Sequence, residues 1–108
     1  MIVGALRRQP PLATALVGAM PTHGLSMFET ADESISCGTW QCGPGESRWD
    51  FTDNGEFIHV LSGSMTCVED DGTVTEVTPG STVVFPKGWG GTWTIHETLR
   101  KVYVIFQF

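Results

Sequence analysis

The sequence predicts an all-β fold of short strands, and three observations carry that prediction. Its 108 residues include 13 Gly and 6 Pro, which is punctuation for many turns in a short chain. From Ser34 onward, short apolar runs are bounded by Gly, Pro, Asp and Asn, the pattern of strands joined by tight turns. No segment of useful length has a helical period; residues 12–19 allow a short turn at most. A chain of this length has room for one compact core.

Residues 1–27 contain Pro10, Pro11, Pro21 and Gly24 and show no clean period, so they read as an extended N-terminal arm ahead of a domain at 28–108. Arg7-Arg8 before the apolar stretch 12–20 has the order of an export signal. Pro10 and Pro11 interrupt it and the apolar run is short, so an uncleaved arm is expected. Strands are then predicted at 34–41, 47–51, 56–61, 64–69, 74–77, 81–85, 91–95 and 100–106. Asp70-Asp71-Gly72 is a hairpin signal, because Gly takes a positive φ without steric cost. Gly63 marks a sharp turn between the strands on either side of it.

Alternation along a strand assigns faces. Glu56, Ile58 and Val60 share one face against Phe57, His59 and Leu61; Gly91, Trp93 and Ile95 oppose Thr92, Thr94 and His96. In the last strand Lys101, Tyr103 and Ile105 oppose Val102, Val104 and Phe106, so both faces are largely apolar. Such a strand lies inside a packed structure: a sandwich, or a barrel whose outer face is covered by another subunit. Edge strands and the outward residues Val102, Val104 and Phe106 therefore predict a homodimer, with the arm as a cover for the neighbour's sheet.

Composition excludes several classes of function. Hydrophobic residues at 41% and charged residues at 17% belong to a folded globular chain. Six basic against twelve acidic residues, a net charge of −6, disfavour nucleic acid and anionic membrane surfaces as partners. No apolar segment approaches the length of about 18 residues that a membrane span needs. Cys37, Cys42 and Cys67 are odd in number and form no C-x2-C pair, which favours free thiols and a reducing cytoplasm over a zinc site or disulfide framework. His23, His59 and His96 accompany no G-x-S-x-G elbow, so a hydrolase triad has no support.

Two glycine-punctuated segments carry a recognisable frame. The first runs Gly43, five residues, Trp49, one residue, Phe51, four residues, Glu56, six residues, Gly63; the second runs Gly80, five residues, Pro86-Lys87-Gly88, two residues, Gly91, three residues, Ile95. This spacing resembles the two motifs of the cupin superfamily, G-x5-H-x-H-x3-4-E-x6-G and G-x5-P-x-G-x2-H-x3-N. Phe85-Pro86-Lys87-Gly88-Trp89, Arg100-Lys101-x-Tyr103, Gly38-Thr39-Trp40 and Gly43-Pro44-Gly45 narrow the resemblance to a small family related to the cupin domain of (S)-ureidoglycine aminohydrolase. It implies an RmlC-like jelly-roll β-barrel, a double-stranded β-helix, paired as a homodimer and with a pocket at one mouth. It does not select a reaction, because that barrel serves many chemistries.

The metal seats of the resembled family are Trp49, Phe51 and Gly91 where it has imidazoles, which leaves Glu56 as the one matching carboxylate. Asp53 is off frame and His59 points to the opposite face, so neither metal nor cofactor is expected. The candidate ligand-binding residues are Trp49, Phe51, Glu56, Trp93, Lys101 and Tyr103: an aromatic interior with one acid, one base and one phenol. Three readings follow. The first is metal-independent binding of a small polar or carboxylate-bearing metabolite in the barrel pocket. The second is a small-metabolite enzyme with Glu56, Lys101 and Tyr103 as acid and base. The third is a structural or interaction subunit whose filled barrel holds Glu56 and Lys101 as an ion pair. Trp40 and Trp89 are expected at the barrel ends or a subunit interface, and Arg48 and Asp50 in solvent.

Overall fold

The computed structural model describes residues 13–17 and 22–107. The strands are β1 (Ala13–Val17), β2 (Thr22–Glu29), β3 (Ile35–Cys42), β4 (Gly45–Asp50), β5 (Gly55–Glu69), β6 (Val74–Val77), β7 (Thr82–Phe85) and β8 (Gly90–Phe106). No helix occurs among the described residues.

Two long strands form the spine. β5 and β8 run antiparallel from Gly55↔Phe106 to Glu69↔Gly91. On the far edge of β8, β3 pairs with the C-terminal half and β4 with the N-terminal half. On the far edge of β5, β7 pairs with 56–59 and β6 with 65–68. Strand β2 extends β3, and β1 extends β4. The spine is thereby shared by two five-stranded halves, β2-β3-β8-β5-β7 and β1-β4-β8-β5-β6, whose buried side chains form one core. This is a jelly roll that stops short of closure, since β6 and β7 each pair only with β5.

The spine corrects the expected strand count. Segments 56–61 and 64–69 are one strand, as are 91–95 and 100–106. Gly63 does mark a sharp feature, but it is a bend within the ribbon rather than a turn between strands. Its φ is +86°, and register shifts lie at Val60/Ser62, Ser62/Ser64 and Ser64/Met65. Extra residues on one strand bend it and preserve the ladder on either side. The bulges also switch which parity points inward: Glu56, Ile58 and Val60 are buried before the bend, Met65 and Cys67 after it. The Asp70-Asp71-Gly72 hairpin joins β5 to β6, with Gly72 at φ +92° and Asp71 Oδ1 accepting from the Thr73 amide at 2.9 Å.

The N-terminal arm also differs from expectation. The 27/28 boundary falls inside β2, and both described stretches before residue 28 are strands of the sheet. Edge strands are held by backbone pairing and need no strict side-chain alternation, so a sequence without a clean period still enters the sheet here. Gly38 makes this possible, because a Cβ there would stand 2.1 Å from the Leu25 carbonyl oxygen on β2. The Arg7-Arg8 segment and the remainder of the expected arm before Ala13 lie outside the described residues.

Candidate functional site

Trp49 on β4, Glu56 on β5 and Trp93, Lys101 and Tyr103 on β8 all point into the core, as does Phe51 just after β4. Lys101 and Glu56 are each 2% exposed. The Lys101 ammonium donates to Glu56 Oε2 at 2.6 Å. Its Nζ also lies 4.5 Å from the Trp40 ring centroid, 4.8 Å from Trp93 and 5.6 Å from Trp49. Three indole faces and one carboxylate therefore surround the cation, an arrangement in which ring quadrupoles substitute for lost hydration. Ring packing continues outward: Trp49 stacks on Trp93 at 3.8 Å, and Phe51 stacks on Phe85 at 5.6 Å.

Two polar atoms in this otherwise apolar interior stand apart. Glu56 Oε1 and Trp93 Nε1 are buried with no hydrogen-bond partner among the described residues. By contrast, the Trp49 indole donates to Ser47 Oγ at 2.8 Å. Native cores rarely leave such groups unpaired, since each unmade bond costs about 1–3 kcal/mol.

Two thiols complete the shell. Burial raises the Cys67 thiol to about 12 against the pull of the Lys101 charge. Burial likewise raises Cys42, with the Thr22 hydroxyl bond at 3.6 Å and Lys101 acting in the opposite direction. Both thiols stay protonated and unreactive at neutral pH. They act as small apolar fillers beside the cation.

The residues at the family's metal seats do not fit a metal ion. Trp49 and Phe51 fill two seats with rings, and the one carboxylate is engaged by an ammonium. At Gly91 a Cβ would already sit 2.4 Å from the Val68 carbonyl oxygen and 2.6 Å from the Trp89 ring, so the backbone leaves no room for an imidazole. Among the described residues no three His, Cys, Asp or Glu side chains gather as a metal site.

A cleft that reaches solvent, of about 380 Å³, lies between β6 and β7, where Glu69, Thr75, Phe85, Lys87 and Trp89 line it. All six sequence-predicted site residues lie in one core, and none of them lines this cleft. Trp40 is a correction to the sequence reading: it is buried against Lys101 rather than placed at a barrel end. Its pairing opposite Lys101 in the β3–β8 register was the missing signal. Trp89 is half-buried and meets Phe85 edge-on at 5.0 Å. Arg48, expected in solvent, is half-buried and bridges the exposed carboxylates Asp50 and Asp70. These partners raise the guanidinium and lower both carboxyl groups.

Comparison with known proteins agrees with this architecture. The model of the EutQ-like cupin domain family matches residues 29–103. The EutQ protein of Clostridium difficile superposes with a TM-score of 0.69 at 21% identity, over 82% of this chain and 70% of that one. A protein of unknown function from Pseudomonas syringae pv. tomato reaches 0.82 at 19% identity, over 94% of this chain and 44% of that one. Ectoine synthase from P. lautus reaches 0.71 at 16% identity, over 80% of this chain and 64% of that one. At these identities the three structures share the fold alone with this chain. None of the curated proteins matches it.

Proposed function

The chain belongs to the cupin family, its EutQ-like domain spanning residues 29–103, and from that premise we propose that it is a metal-independent binding module for a small polar metabolite held in the core beside Glu56, Trp93 and Lys101. The observation that carries this reading is the pair of unpartnered atoms, Glu56 Oε1 and Trp93 Nε1. A bound molecule that donates to the first and accepts from the second removes a cost the folded chain otherwise bears. The Lys101 charge is already matched by Glu56, so a carboxylate-bearing ligand would have to break that pair, and a neutral one need not. Neutral polar compounds are therefore the favoured class.

A thermal-shift screen of small metabolites tests the proposal. A specific ligand at about 100 times its Kd adds about 2.7 kcal/mol, worth on the order of 10 °C in Tm for a domain of this size. The neutral polar members of the set are expected to give such shifts, and Glu56→Leu to abolish them. A flat response across the set would favour the filled-barrel reading, a core whose ion pair is purely structural. The near-complete burial of Glu56 and Lys101 supports that rival.

The partner we propose is a second copy of the chain. On the outer face of the β2-β3-β8-β5-β7 half, Val84, Phe57, Val104, Cys37 and Phe28 form one row across five strands. Phe28 is 52% exposed, Val84 53% and Phe57 39%. Burying such a row in a symmetric contact would remove apolar area at about 25 cal/mol per Å². Sedimentation at micromolar concentration is expected to give a dimer, and Phe57→Glu a monomer; a monomeric wild-type chain would refute this. The free thiols Cys37, Cys42 and Cys67 support a reducing compartment such as the cytoplasm. No described helix is long and apolar enough to cross a membrane.

A further inference from the structure

One side chain of the buried core also lines the solvent-facing cleft. Phe85 lines the cleft, yet it is itself buried and faces the core as the cross-strand neighbour of Glu56. Its ring stacks on Phe51, tilts against Trp93 at 4.9 Å and meets Trp89 edge-on. It thus touches the ring whose indole nitrogen is unpartnered and sits beside the carboxylate whose Oε1 is unpartnered.

The strand that carries Phe85 is short and lies at the edge of the sheet. β7 has four residues and pairs with β5 alone. Gly80 at φ +88° and Gly88 at φ +92° flank it, and a Cβ at either would meet nothing within 4 Å. Both ends of the strand are held by backbone hydrogen bonds, Gly80 N–H to the Val60 carbonyl at 2.8 Å and Gly88 N–H to the Phe51 carbonyl, so the motion left to Phe85 is rotation of its own side chain between rotamers. The cleft is open to solvent and, at about 380 Å³, large enough to receive the ring.

We propose that the β6–β7 cleft is the entrance to the core and that Phe85 is its gate: when the ring swings into the cleft, a compact neutral carboxamide takes its place, donating N–H to Glu56 Oε1 and accepting from Trp93 Nε1. The ligand class follows from the two unpartnered atoms, one acceptor and one donor, next to an ion pair that needs no further charge. This inference rests on the binding reading above and adds to it the route, the gating residue and the chemical class.

The test uses the full chain labelled with ¹⁵N, the Trp93 indole N–H resonance assigned through Trp93→Phe, and acetamide as the probe. In the wild type, acetamide is expected to shift that resonance saturably. Exchange of the same proton with water is expected to be at least about tenfold faster in Phe85→Ala and in the milder Phe85→Leu. Leu99→Ala, which opens a cavity at the bend beside β3, should leave that exchange within about twofold. If acetamide binds but the Phe85 variants exchange no faster, or if Leu99→Ala accelerates exchange equally, the gate is overturned while the binding reading stands. If acetamide leaves the resonance unmoved in both the wild type and Phe85→Ala, the binding reading fails and the gate falls with it.

Discussion

Lys101→Met is expected to destabilise the fold by about 3–5 kcal/mol, because it strands a buried carboxylate. Glu56 is as inaccessible as its partner, and its Oε2 would lose the ammonium that holds it at 2.6 Å. The indole faces around Nζ cannot replace the ammonium as a donor, and the Trp49 N–H is already given to Ser47 Oγ. Since domains of this size are stable by only about 5–15 kcal/mol, the single variant should sit near the limit of folding. The double variant Lys101→Met/Glu56→Leu should recover most of the loss, because an apolar pair of similar volume replaces two costly charges together. Urea denaturation of the three proteins measures this. A single-variant loss below about 1 kcal/mol would mean that the pair is hydrated, contrary to the geometry described here.

The second large effect is expected at the bend. In Gly63→Ala the new Cβ would lie 2.1 Å from the Thr98 carbonyl oxygen and 2.7 Å from its carbon, on a residue with φ +86°. The left-handed backbone alone costs about 1–2 kcal/mol for a residue with a Cβ. Separating β5 from β8 at the point where both halves share them should bring the total to at least about 3 kcal/mol. Gly72→Ala is the control, with a similar φ of +92° but open space around it; it should cost only the backbone part, about 1 kcal/mol. Thermal unfolding followed by circular dichroism separates the two. Equal costs would mean that the close approach to Thr98 carries no weight in the fold.

Much of the interior was legible without coordinates, and the reason is local. Period-two alternation is a property of each strand taken alone, so Glu56, Ile58 and Val60, and likewise Trp93, Lys101 and Tyr103, were assigned to a common side before any pairing was known. The glycine frame behaved similarly, since Gly63 and Gly91 occupy positions that no larger side chain fits. Local pattern failed where pairing took over. Gly63 reads as a turn in isolation, yet the ladder to β8 continues through it by means of bulges. Trp40 reads as a peripheral ring until the β3–β8 register sets it opposite Lys101. The strands β1 and β2 have no side-chain period, and backbone hydrogen bonds to β4 and β3 hold them in the sheet.

By itself, then, the sequence determined an all-β chain and the identity of the acid, base and rings that face inward, while its resemblance to the cupin motifs implied that Trp49, Phe51 and Gly91 stand where those motifs have imidazoles. Those properties follow from residue type and spacing, which are local. Tertiary structure alone decided that Lys101 is enclosed by Trp40, Trp49 and Trp93, that Glu56 keeps one oxygen unpaired, and that Phe85 packs on Trp93 while lining the β6–β7 cleft. Each of these depends on which residues from distant strands arrive at the same point, and long-range register and the bend at Gly63 set that meeting.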